Sequence, residues 1–463
     1  MTTDVPSVGQ STLPRAVRLG YGSGSVATGA FGTVPGLMLL PFLTDSLGIA
    51  ALWAGLIVFA PKAWDVLLNP VAGRISDRTV DPRGPRRPWL LRAGVLLAVG
   101  FAVIFAVPDL GSKGLEATWV LVAFLATATA YAFFQVPYVA MPAEITDSYD
   151  ERTRLMTWRV AILAFTIMLA GATAPLIRDA FDGRTGYAVM GVAMAGVILL
   201  GVVAAYVGTR RAPVGTVAAG SGTIGEQLRV VASSANFRVL LTTFVIQALA
   251  LGAMLAGVDY LAEEVLGSAG ATTILFLCFV GPALVLTPAW ARVGERIGKR
   301  AGWTISSLVL ASGALLAATA QVAPAGLVFA AVGLVGVGYA GCQVFPMAML
   351  PDAAAVDAHL TGENRVGVHT GVWTAGETFG LALGPSLYAL ILTLGDYRSS
   401  TDGSAVQPDS ALTAITVGFS VVPALLILAS LWWLRRYTLT ADDVRAALAA
   451  TPAPAAPTSK DAR

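Results

Sequence analysis

Residues 186–207 read GYAVMGVAMAGVILLGVVAAYV, twenty-two positions without a charged side chain. A helix rises ~1.5 Å per residue, so about 20 apolar residues cross the ~30 Å hydrocarbon core of a bilayer. The stretch therefore reads as a membrane-spanning helix, and eleven more segments read the same way. The twelve lie at 20–44, 51–75, 89–108, 117–143, 157–177, 186–207, 237–262, 269–290, 303–322, 325–350, 367–394 and 411–434. Composition agrees: 56% of the 463 residues are hydrophobic, only 13% are charged, and mean hydropathy is +0.72. A soluble domain carries roughly 25% charged residues. These values exclude a disordered chain, a nucleic-acid-binding domain and an ordinary soluble enzyme. The net charge of +2 implies no polyanionic partner. Cys278 and Cys342 both lie in apolar stretches, which points to neither a disulfide framework nor a metal site. His359 and His369, read as sharing one loop region, are too few for a metal centre, and no cofactor is expected. The polar first sixteen residues precede no short apolar core with a cleavage site, so no cleavable signal peptide is expected.

Lysine and arginine set the direction of threading, because short cytoplasmic loops retain positive charge. With both termini inside, that side carries 23 Lys and Arg; the other carries four (Lys113, Arg178, Arg184 and Arg398); three (Lys62, Arg92 and Arg159) fall within spans. The expectation is a multi-pass protein of the plasma membrane with both ends cytoplasmic. The longest connection between spans, 208–236, is rich in Gly, Ala, Ser and Thr and splits the chain six plus six. The expected organisation is a tail at 1–16, a bundle at 17–207, a linker at 208–236, a second bundle at 237–436 and a tail at 437–463. Segments 1–16 and 449–463 lack the apolar surface that would offset the entropy of ordering them.

The halves repeat each other. After span two comes Arg74-Ile75-Ser76-Asp77-Arg78, then Gly84, Arg86, Arg87 and Trp89; after span eight comes Arg292-Val293-Gly294-Glu295-Arg296, then Gly298, Lys299, Arg300 and Trp303. Span four contains Tyr131, Gln135-Val136 and Met141; span ten contains Tyr339, Gln343-Val344 and Met349, at a constant offset of 208. A parallel duplication of six spans is a transporter pattern, with the solute site between the halves near the midplane.

These residues resemble a family. The acid and arginines between Arg74 and Arg87 resemble the loop motif of the major facilitator superfamily. Lys62-Ala63-Trp64-Asp65-Val66-Leu67-Leu68-Asn69-Pro70, followed by Gly73 and Asp77-Arg78-Thr79, is similar to its glycoside–pentoside–hexuronide:cation symporters. Tyr21-Gly22, Thr44-Asp45, Pro137 and Gly380-Leu381-Ala382-Leu383-Gly384 fit the same pattern, and the likeness covers nearly the whole chain. The resemblance implies an all-α membrane protein of twelve transmembrane helices, built as two six-helix bundles related by pseudo-two-fold symmetry. It also implies symport of a sugar with a cation. Asp65 matches the first acid of span two in the family's melibiose-type pattern, and Arg159 matches the span-five arginine. Elsewhere the pattern is replaced: its second span-two acid falls at Asn69, its neighbouring polar residue at Leu68, and its span-four sodium-site group at Ala132. Its sugar acids fall at Gly29 and Gln135, and its span-eleven lysine at Thr378.

Ionisable groups inside a bilayer are costly unless paired or wet, so each is a site candidate. Lys62, Asp65 and Asn69 share one helix face. They read either as a coupling site, with Asp65 carrying a proton, or as a closed Lys62–Asp65 ion pair tethering two spans. One carboxylate and one amide suit a proton better than sodium. Glu377 reads as a second protonatable group or polarity reader, or as a packing glutamate. Gln135, Arg159, Tyr131, Trp373, Thr378 and Gln343 are candidate solute contacts; each has a bland alternative in interhelical bonding, snorkelling or packing. Asp259, Glu263 and Glu264 read first as solvated acids at a helix end. Asp77 with Arg78, and Glu295 with Arg296, are expected to form ion pairs between helix ends and neighbouring loops that gate alternating access. The clustered glycines of span one, Gly20 to Gly36, are expected to allow close helix contact.

The function expected is secondary transport of a small solute, by default a sugar or glycoside, coupled to protons through Asp65. The expected partners are the solute, a coupling cation and the bilayer, in a monomer without nucleic acid. Loss of the sugar acids leaves room for an amphiphilic or lipid-like solute. A non-transporting sensor or assembly factor on the same scaffold is the reading from another class. A membrane enzyme has no nucleophile–base or metal constellation to support it.

Overall fold

The structure is a computed structural model and describes residues 13–146, 148–210, 212, 234–268, 270–361, 366–401 and 405–450. Most of the expected 208–236 linker, the start of the 1–16 tail and residues 451–463 lie outside the described residues.

The elements are α1 (Arg15–Pro41, extended by a π-helical turn Phe42–Ser46), α2 (Ala51–Asp77), α3 (Arg87–Phe105), α4 (Lys113–Ala140), a short α5 (Pro142–Ile145), α6 (Tyr149–Asp179) and α7 (Gly183–Thr209). Then follow α8 (Ala235–Tyr260, with a π turn Leu261–Val265), α9 (Ala271–Ile297), α10 (Lys299–Ala317), α11 (Ala325–Thr361), α12 (Val366–Leu394), α13 (Asp409–Phe419), α14 (Val421–Leu434) and α15 (Ala441–Ala450). Among the described residues, twelve helical segments are long and apolar enough to cross a membrane. The protein is an all-α, multi-pass membrane protein. Only α-helices and closed barrels satisfy every backbone group in hydrocarbon, so an apolar chain of this kind has few alternatives.

Three differences from the sequence reading lie in the C-terminal half. The tenth span does not stop near residue 350 but runs as α11 to Thr361, through Pro346 and Pro351. The twelfth is broken at Ser420, just before Pro423, into α13 and α14. The C-terminal tail contains α15, opened by a reciprocal cap: Thr440 Oγ1 accepts from the Asp443 N–H at 3.2 Å, and Asp443 Oδ2 accepts from the Thr440 N–H at 2.8 Å. Thr440-x-x-Asp443 follows the spacing of a capping box.

The chain forms two compact units. The first comprises Met1–Gly220, Ala262–Ile274 and Ala389–Ala411; the second comprises Ser221–Leu261, Leu275–Tyr388 and Leu412–Arg463. In the first, α1 packs on α6 and α7, α3 packs on α4 and α7, and α2 packs on α4. The α1–α7 crossing is as close as glycine permits, since a Cβ on Gly20 would lie 2.5 Å from Gly208 Cα. Segments 262–274 and 389–411 are held to this unit by specific contacts. Arg178 Nη2 pairs with Glu263 Oε1 at 2.7 Å, and the Thr273 hydroxyl donates to Ala172 O at 3.1 Å. The Tyr397 hydroxyl donates to Asp45 Oδ1 at 2.7 Å, and the Ser400 N–H to Thr44 O at 3.0 Å. The three acids read as solvated are therefore engaged: Asp259 is buried, Glu263 is ion-paired, and Glu264 Oε1 lies 3.3 Å from the Tyr397 hydroxyl.

In the second unit α10 packs on α11 and α14, and α8 on α14. Gln247 on α8 donates from Nε2 to Ser307 Oγ and Ser430 Oγ, both at 3.0 Å, while its Oε1 accepts from Trp303 Nε1 at 3.0 Å. This buried amide is fully used as a tie among α8, α10 and α14. His359 and His369 do not share a loop. They lie on α11 and α12, and the buried His369 has Nε2 3.8 Å from Asp357 Oδ2.

Candidate functional site

On α2 the three- and four-residue spacings bring Lys62, Asp65 and Asn69 to one face, between Pro61 and Pro70 of the same helix. Asp65 is 5% exposed, and its Oδ1 has no hydrogen-bond partner among the described residues; the same holds for Asn69 Oδ1. Lys62 does not close on Asp65. Its Nζ stands 4.8 Å from the centroid of the Phe31 ring, a cation–π contact with α1. The tethering ion pair considered from sequence is thus not formed, and the carboxylate is left to other uses.

The neighbouring helices complete the patch. Tyr131 on α4 packs against Phe31 at 4.4 Å and lies within electrostatic reach of both Asp65 and Arg159. One turn along α4, Gln135 Oε1 is buried without a partner among the described residues. On α6, Arg159 does not snorkel outward. Its Nε is buried and unpartnered there, and its guanidinium carbon sits 5.7 Å from the Tyr138 ring centroid. Tyr138 is fixed from α1: its hydroxyl lies 2.9 Å from Ser25 Oγ and donates to Tyr21 O at 2.9 Å, and its ring stacks on Tyr21 at 4.9 Å. A Cβ on Gly24 would lie 2.4 Å from that ring, so glycine makes room for the arrangement. Trp64 ties α2 to α4 by donating from Nε1 to Thr129 Oγ1 at 3.0 Å. An unsatisfied buried polar atom costs about 1–3 kcal/mol. The first unit holds five such side chains on α1, α2, α4 and α6: Tyr21, Asp65, Asn69, Gln135 and Arg159. Natural structures keep few of these without a reason, and ligand recognition is one.

In the second unit the predicted residues divide. Glu377 on α12 is half-buried, makes no hydrogen bond or ion pair among the described residues, and lies within electrostatic reach of Tyr339 on α11. Tyr339 stacks on Phe279 at 5.0 Å, and its hydroxyl accepts from Gln343 Nε2 at 2.6 Å. Gln343 is thus spent on its own helix. Thr378 likewise donates back to Thr374 O at 2.9 Å. Trp373 is 1% exposed and stacked on Phe244 at 4.4 Å, so its ring packs the helix core and presents no open face to a sugar.

A family model described as "MFS/sugar transport protein" matches residues 20–441. The chain belongs to this family. It is 26% identical over 438 residues to the putative glycoside/cation symporter YagG of Escherichia coli (strain K12), covering 93% of each chain. It is 24% identical over 426 residues to the isoprimeverose transporter of Lactiplantibacillus pentosus, covering 89% of this chain and 86% of that one. The crystal structure of a D-xylose–proton symporter superposes with a TM-score of 0.69 at 12% identity, over 92% of this chain and 98% of that one. The protein is a secondary transporter with the major facilitator fold, and not an enzyme.

In this major facilitator protein the repeated loops hold two clamps, one of which uses the expected Asp77. Asp77, the last residue of α2, pairs across the following loop: Arg86 Nη2 donates to Asp77 Oδ1 at 3.2 Å. Arg86 also donates to Ala140 O and lies 3.7 Å from Glu144 Oε2. Glu295 and Arg296 are exposed and form no ion pair among the described residues. The repeat-related cation is Lys299, which donates to Ala348 O at 3.0 Å and to Asp352 Oδ2 at 2.5 Å. Ala140 and Glu144 relate to Ala348 and Asp352 by the same offset of 208 that relates Tyr131 to Tyr339. Each unit therefore ties the start of one helix to another through a cation, a carbonyl and an acid, at the end of α4 in the first unit and within α11 in the second. Gly84 (φ 100°) and Gly298 (φ 86°) precede the two cations in left-handed backbone, which explains glycine at both positions.

Glu144 lies outside the spans and is 4% exposed. Burial pushes its carboxyl above the ordinary range, against the pull of Arg86 and Arg87. The folded state then holds a proton more tightly than the unfolded one. The resulting stability is full below the ordinary glutamate pKa and is lost as pH rises through the elevated value. Glu144→Gln is expected to remove this decline, whose slope is at most about 1.4 kcal/mol per pH unit for one group. Unfolding midpoints in detergent across that window check it.

Proposed function

We propose that this transporter moves a sugar or glycoside together with a proton, and that Asp65 carries the proton. The observation that carries the reading is the buried Asp65 carboxylate, which no cation closes, on the helix whose residues resemble the working helix of glycoside/cation symporters. A hard metal cation collects several oxygen ligands. Around Asp65 the second acid of the family pattern is Asn69 and its polar neighbour is Leu68, which favours a proton over sodium. Lys62 tunes the hold of Asp65 on the proton, and Glu377 is a second protonatable group. Gln135, Arg159 and Tyr131 supply the solute's hydrogen bonds and stacking face. The Arg86 and Lys299 clamps bias the inward- and outward-facing states by holding in one and parting in the other. The protein works as a monomer in the plasma membrane with both termini cytoplasmic, in line with the 23-to-4 distribution of Lys and Arg.

Counterflow into proteoliposomes tests the solute class, using a panel of glycosides, pentoses, hexuronides and amphiphiles. Exchange of one or more sugars is the expected result. Exchange confined to amphiphiles would move the assignment to a lipid-like solute. No exchange of any member by folded protein would favour a non-transporting role.

A further inference from the structure

A groove of about 560 Å³ lies in the first unit, away from Asp65, where the first turns of α2 and α4 meet. Its walls are apolar: Trp53 and Ile57 from α2, and Ala117 and Leu121 from α4. Its mouth is not. Lys113, the first residue of α4, reaches across to Gly48 and donates from Nζ to the Gly48 carbonyl at 3.0 Å. An ammonium carries three N–H bonds, so two are left without a partner among the described residues. The N-terminus of α2 opens beside it at Ala50, with no side-chain cap and no acid in the first turn. Its first N–H groups therefore have no intrahelical partner and carry the positive end of the helix dipole. The acid nearest in sequence on α4, Glu116, is already held by a two-pronged Arg184 contact at 2.7 and 2.8 Å. The mouth is thus positive and the body apolar. Trp53, 64% exposed, stands one turn below it, where amphipathic rings sit at the bilayer interface.

We propose that this groove seats one anionic phospholipid, with an acyl chain between α2 and α4 and its phosphate against Lys113 and the first turn of α2. Charge complementarity selects this occupant. A neutral apolar molecule would leave the ammonium and the orphan N–H groups unmatched, and a free phosphate would leave the apolar walls uncovered. The site lies apart from the solute patch and does not depend on which solute is carried.

Native mass spectrometry of the full chain, released from mixed micelles of phosphatidylglycerol and phosphatidylcholine with identical acyl chains, tests it. One phosphatidylglycerol per chain is expected to stay bound in preference to phosphatidylcholine. Lys113→Gln should lower that preference about fivefold, in line with ~1 kcal/mol per basic residue near anionic lipid. Lys113→Arg should restore it, and Ala117→Phe, which fills the groove, should displace both lipids. Equal retention of the two lipids by the native chain would overturn the proposal, as would an unchanged preference in Lys113→Gln. Displacement of the lipid by millimolar inorganic phosphate alone would also overturn it, since the site would then read the anion and not the lipid.

Discussion

Asp65→Asn is expected to abolish uphill solute accumulation while leaving solute exchange within a few-fold of the native rate. The amide keeps the shape and hydrogen-bonding reach of the carboxylate but cannot carry the proton. A solute moved with one proton across 100 mV gains about 2.3 kcal/mol, which supports an accumulation ratio of roughly fifty; without the proton the ratio falls to about one. Exchange needs only the solute site and the rocking of the protein, so it persists. A structural role for Asp65 predicts a different pattern, in which the unfolding midpoint falls and accumulation and exchange decline together. The observed geometry favours the first pattern. Lys62 rests on Phe31, so neutralising Asp65 breaks no ion pair. Measuring accumulation, exchange and thermal unfolding on the same preparation separates the two.

The second large effect is expected at Arg86. Its side chain is 5% exposed and faces Glu144 at 3% and Asp77 at 29%. Arg86→Ala leaves the buried Glu144 without the cation 3.7 Å from it, and breaking a buried pair costs about 3–5 kcal/mol. A fall of several degrees or more in the unfolding midpoint follows. Adding Glu144→Ala should recover part of it, because the stranded charge is then gone. The repeat-related Lys299→Ala is expected to be much milder, within about 1 kcal/mol, since Lys299 is 43% exposed and Asp352 21%. Unfolding curves of the three variants in one detergent check the ordering. Equal losses at Arg86 and Lys299 would contradict it.

The twelve spans and the repeat were legible because hydrophobic length and positional offset are local properties of the chain. The clamps were half legible. The repeated loops announced paired charges, but which acid meets which cation depends on how α3 packs against the end of α4. Asp77 was legible as a charge at a helix end, but Arg86 as its partner was not. The partners were recoverable, since Ala140-Glu144 and Ala348-Asp352 carry the same offset as the tyrosines and glutamines already noticed. On α2 the shared face of Lys62, Asp65 and Asn69 followed from helical spacing. Whether Lys62 would close on Asp65 or turn to a ring on α1 was a tertiary matter. Trp373 and Gln343 looked like solute contacts because a polar or aromatic group in an apolar span looks the same whether it faces a cavity or a neighbouring helix. Gln247 was passed over for the converse reason: a lone amide in a span gives no sign that three side chains on two other helices await it. The cap of α15 was written plainly as Thr440-x-x-Asp443, but the Ala- and Pro-rich composition that follows obscured it.

The most direct test of proton coupling at Asp65 is the pH inside proteoliposomes on addition of a transported sugar, without a sodium gradient, for the native chain and for Asp65→Asn. The account predicts sugar-driven proton entry in the native protein and none in the variant, with sugar exchange retained in both. Sugar uptake that requires sodium and moves no protons, or proton entry that persists in Asp65→Asn, would contradict it.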